Sequence, residues 1–278
     1  MVKIKMLQIR EAEKDEDFFA IEKIQEIVWG IKEDVVPFHI LRAIKHMGGC
    51  VYVAEIDGKI VGFVYGFVAK KWNKVFLHSH QLAVLPEYRN KNIGFQLKLK
   101  QREHAIKQGF DLVTWTYDPL MSLNGYFNVH KLGGIVRRYY VNFYGRMRDK
   151  LNIGIPSDRF LLEWWVKSSR VEKRIKGIRP DSRRYEALPN VIETKEEKIR
   201  IPIKFNPVDE KEILIEIPYD YQLVKRIDLN IALKWRLITR EAFLYYLTRD
   251  YIIVDFLRKK NRSFYVLTKA TLDDALRE

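Results

Sequence analysis

The chain has 278 residues, of which 47% are apolar, 31% charged and 13% aromatic; that is enough apolar surface for a packed core and excludes disorder and low complexity. Fifty Lys and Arg against 36 Asp and Glu leave a net charge of +14, which attracts polyanions, whether nucleic acid, an acidic membrane surface or a phosphorylated small molecule. The single cysteine, Cys50, excludes an intrachain disulfide and a Cys-rich zinc site, and predicts a cytoplasmic protein. The longest apolar run, residues 60–69, is about half of the roughly twenty residues a membrane span requires, so no membrane partner is expected.

Taken in chain order, residues 8–12 read as the end of a first strand. Phe18, Phe19, Ile21, Ile24, Ile27 and Val28 then recur at helical spacing over 13–29, and a second helical pattern covers 37–46. Residues 50–56 and 60–68 are rich in Val, Tyr and Phe, and Asp57-Gly58 between them predicts a hairpin, because both positions tolerate positive φ. A strand over 75–85 stops at Pro86. A helix over 93–108 follows, closed by Gly109, then a strand over 112–117. Asp118-Pro119 predicts the start of a helix that ends at Gly133-Gly134, with strands at 135–146 and 160–167 after it. This order, β-α-α-β-β-β-α-β-α-β-β, predicts the α/β (α+β) class: a mixed, mostly antiparallel central sheet with helices on both faces.

From 168 onward the character changes. Residues 169–195 are dense in Lys and Arg with little apolar periodicity and read as a basic linker. Residues 196–278 hold a strand at 213–217, a helical pattern at 229–247 and a hairpin of 251–257 with 263–267, a small second α+β unit suited to covering an acceptor cleft or forming a homodimer interface. The expected division is 1–168, 169–195 and 196–278.

The informative stretch runs from His78 to Gly94. A strand leads into a short basic turn, Arg89-Asn90-Lys91-Asn92, that opens directly into a helix at Ile93-Gly94-Phe95. Asn92 and Gly94 tolerate left-handed or close-approach backbone. The first amides of the helix and its positive dipole end would favour a phosphate there, with Arg89 and Lys91 as compensating charge. On shape alone, a plain strand-to-helix connection is the competing explanation.

This stretch resembles the coenzyme A loop of the GCN5-related N-acetyltransferases, whose pattern is Gln/Arg-x-x-Gly-x-Gly/Ala: Arg89 comes first, Asn92 replaces the first glycine and Gly94 is last. The lead-in Pro86-Glu87-Tyr88-Arg89 fits the same family, and Asn124 with Leu132-Gly133 echoes its later signature. The resemblance covers about residues 6–168. It implies that Leu82 and Val84 pair their backbone with the pantetheine arm of acetyl-CoA or another acyl-CoA donor. It also implies that Asn90, Lys91, Asn92, Ile93, Gly94 and Phe95 wrap the pyrophosphate beside Arg89, and that Asn124 lies near the arm.

His78 and His80, two apart on a strand, share a face, and an imidazole is a suitable general base near neutral pH. Their surroundings, His-x-His-x-Leu-Ala-Val, are similar to aralkylamine N-acetyltransferase, whose paired histidines relay a proton from the amine; the competing explanation for each is a satisfied core histidine. They lack a third ligand nearby, so no metal is expected. The tyrosine that serves as general acid in many relatives corresponds here to Val129, leaving Tyr126, His130, Tyr139 and Tyr140 as nearby alternatives, each an ordinary core residue by position. Cys50 reads as a buried hydrophobe. The expected function is direct acyl transfer from coenzyme A to a primary amine on a small molecule or peptide. The rival is a non-catalytic module binding coenzyme A or nucleic acid, motivated by the absent tyrosine and by Asn92; the basic-aromatic tract 137–144 resembles a single-strand nucleic-acid platform, and an amphipathic strand explains it as well.

Overall fold

The computed structural model describes residues 6–30, 32–145, 147 and 154–277. It divides into two compact units, the first holding Met1–Trp115 and the second Thr116–Met147 with Leu151–Glu278.

In the first unit, β1 (Leu7–Glu11) is followed by α1 (Asp15–Trp29) and α2 (Phe38–His46), then by β2 (Cys50–Ile56), β3 (Lys59–Lys71), β4 (Lys74–Val84), α3 (Ile93–Lys107) and the start of β5 (Leu112–Tyr117). α1 starts where Asp17 reaches back to the amides of Glu13 and Lys14, and ends at Gly30 with φ 76°. Its Phe18, Ile21 and Ile24 form one buried stripe. Arg10 joins three elements by pairing with Asp17 of α1 and Glu55 of β2.

β1 to β4 pair antiparallel in sequence order, and β5 joins β4 in parallel. The expected turn is present: Asp57 at φ 51° and Gly58 at φ 79°. β3 and β4 run further than expected, out to Lys71 and Lys74, because a second left-handed pair, Trp72 and Asn73, makes the next hairpin tight. Val51, Val53, Phe63 and Tyr65 pack with α1 and α2 on one sheet face. The alternate residues Cys50 and Tyr52 meet Gln101 and His104 of α3, so α3 covers the other face.

The second unit has an antiparallel sheet in the order β7 (Arg159–Trp165), β6 (Ile135–Tyr140), β11 (Tyr251–Lys259), β12 (Arg262–Lys269) and β10 (Glu212–Pro218). β8 (Ile192–Glu196) and β9 (Arg200–Phe205) form a separate hairpin. The long helix α7 (Leu229–Leu247) starts at Asp228, which caps the amides of Asn230 and Ile231, and it buries Trp235 and Phe243. The rings of Phe243, Phe160, Tyr139 and Tyr265 meet edge to face or stacked.

Several expectations change here. Asp118-Pro119 does not open a helix: the Asp118 carboxylate accepts from Leu120 N–H, making a turn, and helix α4 (Ser122–Gly125) starts later before widening into a π-helical stretch, Tyr126–Lys131. β6 stops at Tyr140 because the chain turns at Asn142, φ 47°, and Phe143 N–H bonds to Ser157; Arg146, the expected strand end, lies outside the described residues. Residues 169–195, read as a linker, contain α5 (Ser169–Ile175), whose Arg170, Val171 and Arg174 are buried, and Tyr185 is buried too. Those arginines are counted as loop charge in a sequence, but here Arg174 faces the buried carboxylate of Asp255. Helices α6 (Tyr221–Ile227) and α8 (Leu272–Arg277) add to the C-terminal expectation.

Candidate active site

β4 carries the histidines, and its pairing changes beside them. On the β3 side, Tyr65 pairs with Gln81 and Gly66 with Ser79, so β4 has one extra residue, His80. On the β5 side the register ends at Leu77 with Val113 and His78 with Thr114. Beyond that rung β4 keeps β3 as its strand neighbour while its other edge, from Ser79 to Val84, has no paired strand among the described residues. Leu82 and Val84 lie on this edge.

The two imidazoles share a sheet face. Their ring centroids are 6.3 Å apart, and both lie against Phe67, at 5.2 Å for His78 and 5.8 Å for His80. Tyr65 lies 5.7 Å from His80. His78 Nδ1 is 2.9 Å from Thr114 Oγ1. Burial, then the neighbouring His80 and Lys98, push the His78 imidazole down to about 4, and burial lowers His80 also. Both rings are therefore neutral at neutral pH, the form in which a histidine accepts a proton.

A 3-10 turn at Pro86–Tyr88 links β4 to the basic loop. Asn90 takes φ 61° and Asn92 φ 62°, so both asparagines adopt the left-handed backbone for which glycine is the usual residue. α3 starts at once, with no side-chain cap and no acidic residue in its first turn. Arg89 and Lys91 are exposed and hold local carbonyls, Arg89 Nε on Val84 and Lys91 Nζ on Glu87. Ile93 and Phe95 are buried and anchor the turn. A Cβ placed on Gly94 would meet Leu82 Cδ2 at 3.6 Å, an ordinary contact, so the fold itself does not demand glycine there.

Asn124 belongs to the second unit, in α4, with its side chain exposed. Val129 is fully buried. His130 Nδ1 is 2.8 Å from the Asp255 carboxylate and stacks on Tyr126, and Tyr139 gives its hydroxyl proton to Asp158, which burial and that carboxylate hold strongly on the phenol. Those side chains serve the packing of the second unit. In the tract 137–144, Arg137 and Arg138 both bind the buried Glu163.

Sequence reasoning missed a polar cluster under β4. Lys98 of α3, 3% exposed, donates to Ser79 Oγ at 2.8 Å and Gln101 Oε1 at 3.0 Å, with its ammonium 3.6 Å from the Trp115 ring centroid. Gln101 in turn donates to Cys50 Sγ at 3.3 Å. The thiol is buried and pushed up to about 11, chiefly by desolvation, so it is inert. The signal was present: Lys98 and Gln101 fall at the helical spacing of Ile93, Leu97 and Ala105, in the stripe that should be apolar. No group of metal-ligating side chains occurs among the described residues, and no described helix is long and apolar enough to cross a membrane.

Residues 47–125 match the family model of the acetyltransferase (GNAT) domain. An N-acetyltransferase of Archaeoglobus fulgidus, described as uncharacterized, is 32% identical over 114 residues, covering 37% of this chain and 76% of that protein. Among solved structures, an acetyltransferase of the GNAT family from Desulfovibrio desulfuricans matches at 15% identity over 58% of this chain and 99% of its own, with a TM-score of 0.47. The ribosomal-protein-S18-alanine N-acetyltransferase of Escherichia coli matches at 15% identity over 58% and 94%, with a TM-score of 0.46.

Proposed function

Because the chain belongs to the GCN5-related N-acetyltransferase family, we propose that it transfers an acyl group, acetyl in the first instance, directly from coenzyme A to a primary amine. The observation that carries this reading is the unpaired edge of β4 from Ser79 to Val84, which leads into the uncapped, basic start of α3 and has His78 and His80 beside it.

The residues present fit an acyl-CoA. An extended pantetheine arm supplies the amide and carbonyl groups that the open strand edge at Leu82 and Val84 needs, in the manner of an added strand. The turn Asn90 to Phe95 offers successive backbone amides and a helix dipole to a pyrophosphate, and Arg89 and Lys91 can swing from their local carbonyls to its charge. The absence of a side chain on Gly94 leaves room for that approach.

An amine attacks a thioester as the free base. With the attacking nitrogen on the face of His78 and His80, a neutral imidazole accepts the proton it loses, directly or through one water. A backbone amide at Leu82 or Val84 polarises the thioester carbonyl, and coenzyme A departs as thiol or thiolate; a thiol leaves readily enough that the buried Val129 in the usual tyrosine position does not block the reaction. The acceptor class is a primary amine on a small molecule or a peptide, and the acyl-transfer region is residues 1–168. The test is calorimetric titration with acetyl-CoA, with dephospho-CoA and ATP as controls. Saturable binding of acetyl-CoA supports the reading, and failure to bind any acyl-CoA overturns it.

A further inference from the structure

Lys98 is a buried cation in a helix stripe that holds Ile93, Phe95, Leu97 and Ala105 and one other polar residue, Gln101. Burying an ammonium is costly unless its donors are satisfied, and an apolar residue of the same length would normally pack there at lower free energy. The surroundings are nonetheless shaped for it. Gly66, opposite Ser79, leaves space for the Gln101 amide: a Cβ on Gly66 would lie 3.2 Å from Gln101 Nε2 and 2.7 Å from the His78 carbonyl. Gln101, held by Cys50, offers Oε1 to Lys98, and Trp115 gives its ring face. The remaining donor contact goes to Ser79 Oγ, the side chain between the two histidines on the opposite sheet face.

That placement matters because β4 is held weakly here. It has lost its β5 partner after His78, and the extra residue at His80 disrupts the β3 ladder one residue after Ser79. A strand with an unpaired edge and a bulge has local freedom to twist. Ser79 is its last regularly paired residue before the bulge, and the Lys98 contact grips it from below.

We propose that Lys98 is a positioning residue for the acyl transfer, clamping Ser79 from the α3 side so that His78 and His80 are held together on the acceptor face. This rests on the reading of His78 and His80 as the proton-accepting pair. The titratable groups facing this cluster are Tyr65 from β3, the two histidines of β4, Lys98 from α3 and Cys50 from β2, while β5 brings the neutral Thr114 and Trp115. Burial draws Lys98 down to about 7, so it is protonated throughout the range in which His78 titrates, and its charge opposes protonation of that ring.

The test uses the full chain and the variants Lys98→Met, which keeps length and removes charge and donors, and Ser79→Ala, which removes only the acceptor. Histidine ring resonances are followed by NMR against pH, acetyl-CoA affinity by calorimetry and acetyl transfer to tyramine as probe amine. Lys98→Met should raise the His78 midpoint, leave acetyl-CoA affinity within twofold and leave the melting temperature equal or higher. Ser79→Ala, a one-atom deletion that leaves the Gln101 and Trp115 contacts of Lys98 in place, should shift both imidazole spectra at fixed pH. Where tyramine is acetylated, kcat should fall about tenfold in both variants. Unchanged imidazole spectra in Ser79→Ala, or an unchanged His78 midpoint in Lys98→Met, would overturn the clamp. Normal transfer by a His78→Gln/His80→Gln protein, with those spectral shifts present, would overturn the base assignment instead and leave the clamp standing.

Discussion

Thr114 Oγ1 meets His78 Nδ1 at 2.9 Å on the last rung that joins β4 to β5, so the point where the strands separate is also the point where the imidazole is oriented. The second nitrogen of a histidine takes its role from the bond the first one makes. In the tautomer whose Nδ1–H donates to the threonine, Nε2 keeps its lone pair for an amine proton. Thr114→Val preserves the shape and deletes the partner. It should slow acetyl transfer about tenfold while leaving the acetyl-CoA affinity of the protein unchanged in calorimetry; equal rates would show that Thr114 does not orient the base.

The lowered basicity of the pair has a sign that can be checked in two ways. His78 titrates near 4 in the folded chain and near 6.5 unfolded, so the unfolded state binds more protons between those values. Its contribution to stability is complete above the unfolded value and is lost as pH falls toward 4. For catalysis the same shift puts the acid limb of kcat/KM below pH 6, since the base is already free at neutral pH. His78→Gln/His80→Gln should remove that limb and slow transfer at pH 7 while sparing coenzyme binding. A pH–rate profile of the double variant with the limb in place would sink the assignment.

The second unit offers a test of stability without catalysis. Asp255 is fully buried, and its carboxylate meets Arg174, His130 and Tyr185. Despite burial, which opposes ionisation, hydrogen bonding from His130 and the charge of Arg174 hold it down at about 2. Asp255→Ala removes the buried carboxylate that Arg174, His130 and Tyr185 share, and breaking a buried ion pair by removing one partner typically costs about 3–5 kcal/mol. Urea denaturation of the variant should show a loss of that order; a loss under 1 kcal/mol would mean that the cluster relaxes to water.

The first unit was readable because each of its signals is local. Helical stripes in α1 and α2, the Asp57-Gly58 turn and the left-handed Asn92 all follow from a few neighbouring residues. The parts that escaped depend on distant partners. Asp118-Pro119 has the local chemistry of a helix start, yet one Asp118 oxygen caps a turn while the other pairs with Arg236, more than a hundred residues away. Likewise, Arg170 and Arg174 read as surface charge until β11 brings the Val254 carbonyl and the Asp255 carboxylate to them. In the site, the shared face of His78 and His80 follows from strand alternation. Neither the bulge that follows Ser79 nor the Lys98 contact beneath it has a strand-local signature, because both depend on pairing with Gly66 and packing of α3.

Gly94 allows the coenzyme reading to be separated from the fold. Its backbone needs no positive φ, and an added Cβ meets only Leu82 Cδ2 at ordinary distance, so nothing among the described residues requires glycine in the first turn of α3. Replacing a helical glycine by alanine normally stabilises by about 0.5–1 kcal/mol through the unfolded state. Gly94→Ala should therefore melt at the same temperature or higher, and Gly94→Leu should still fold. If the open position exists for a pyrophosphate to approach the α3 amides, acetyl-CoA affinity should change little in the alanine variant, since alanine also satisfies the loop pattern at this position, and be lost in the leucine one. Arg89→Ala and Lys91→Ala should weaken binding by smaller factors that shrink further at high salt, since their contribution is a screened surface charge. Undiminished acetyl-CoA binding by Gly94→Leu would move the cofactor away from this turn, whatever the histidine variants did.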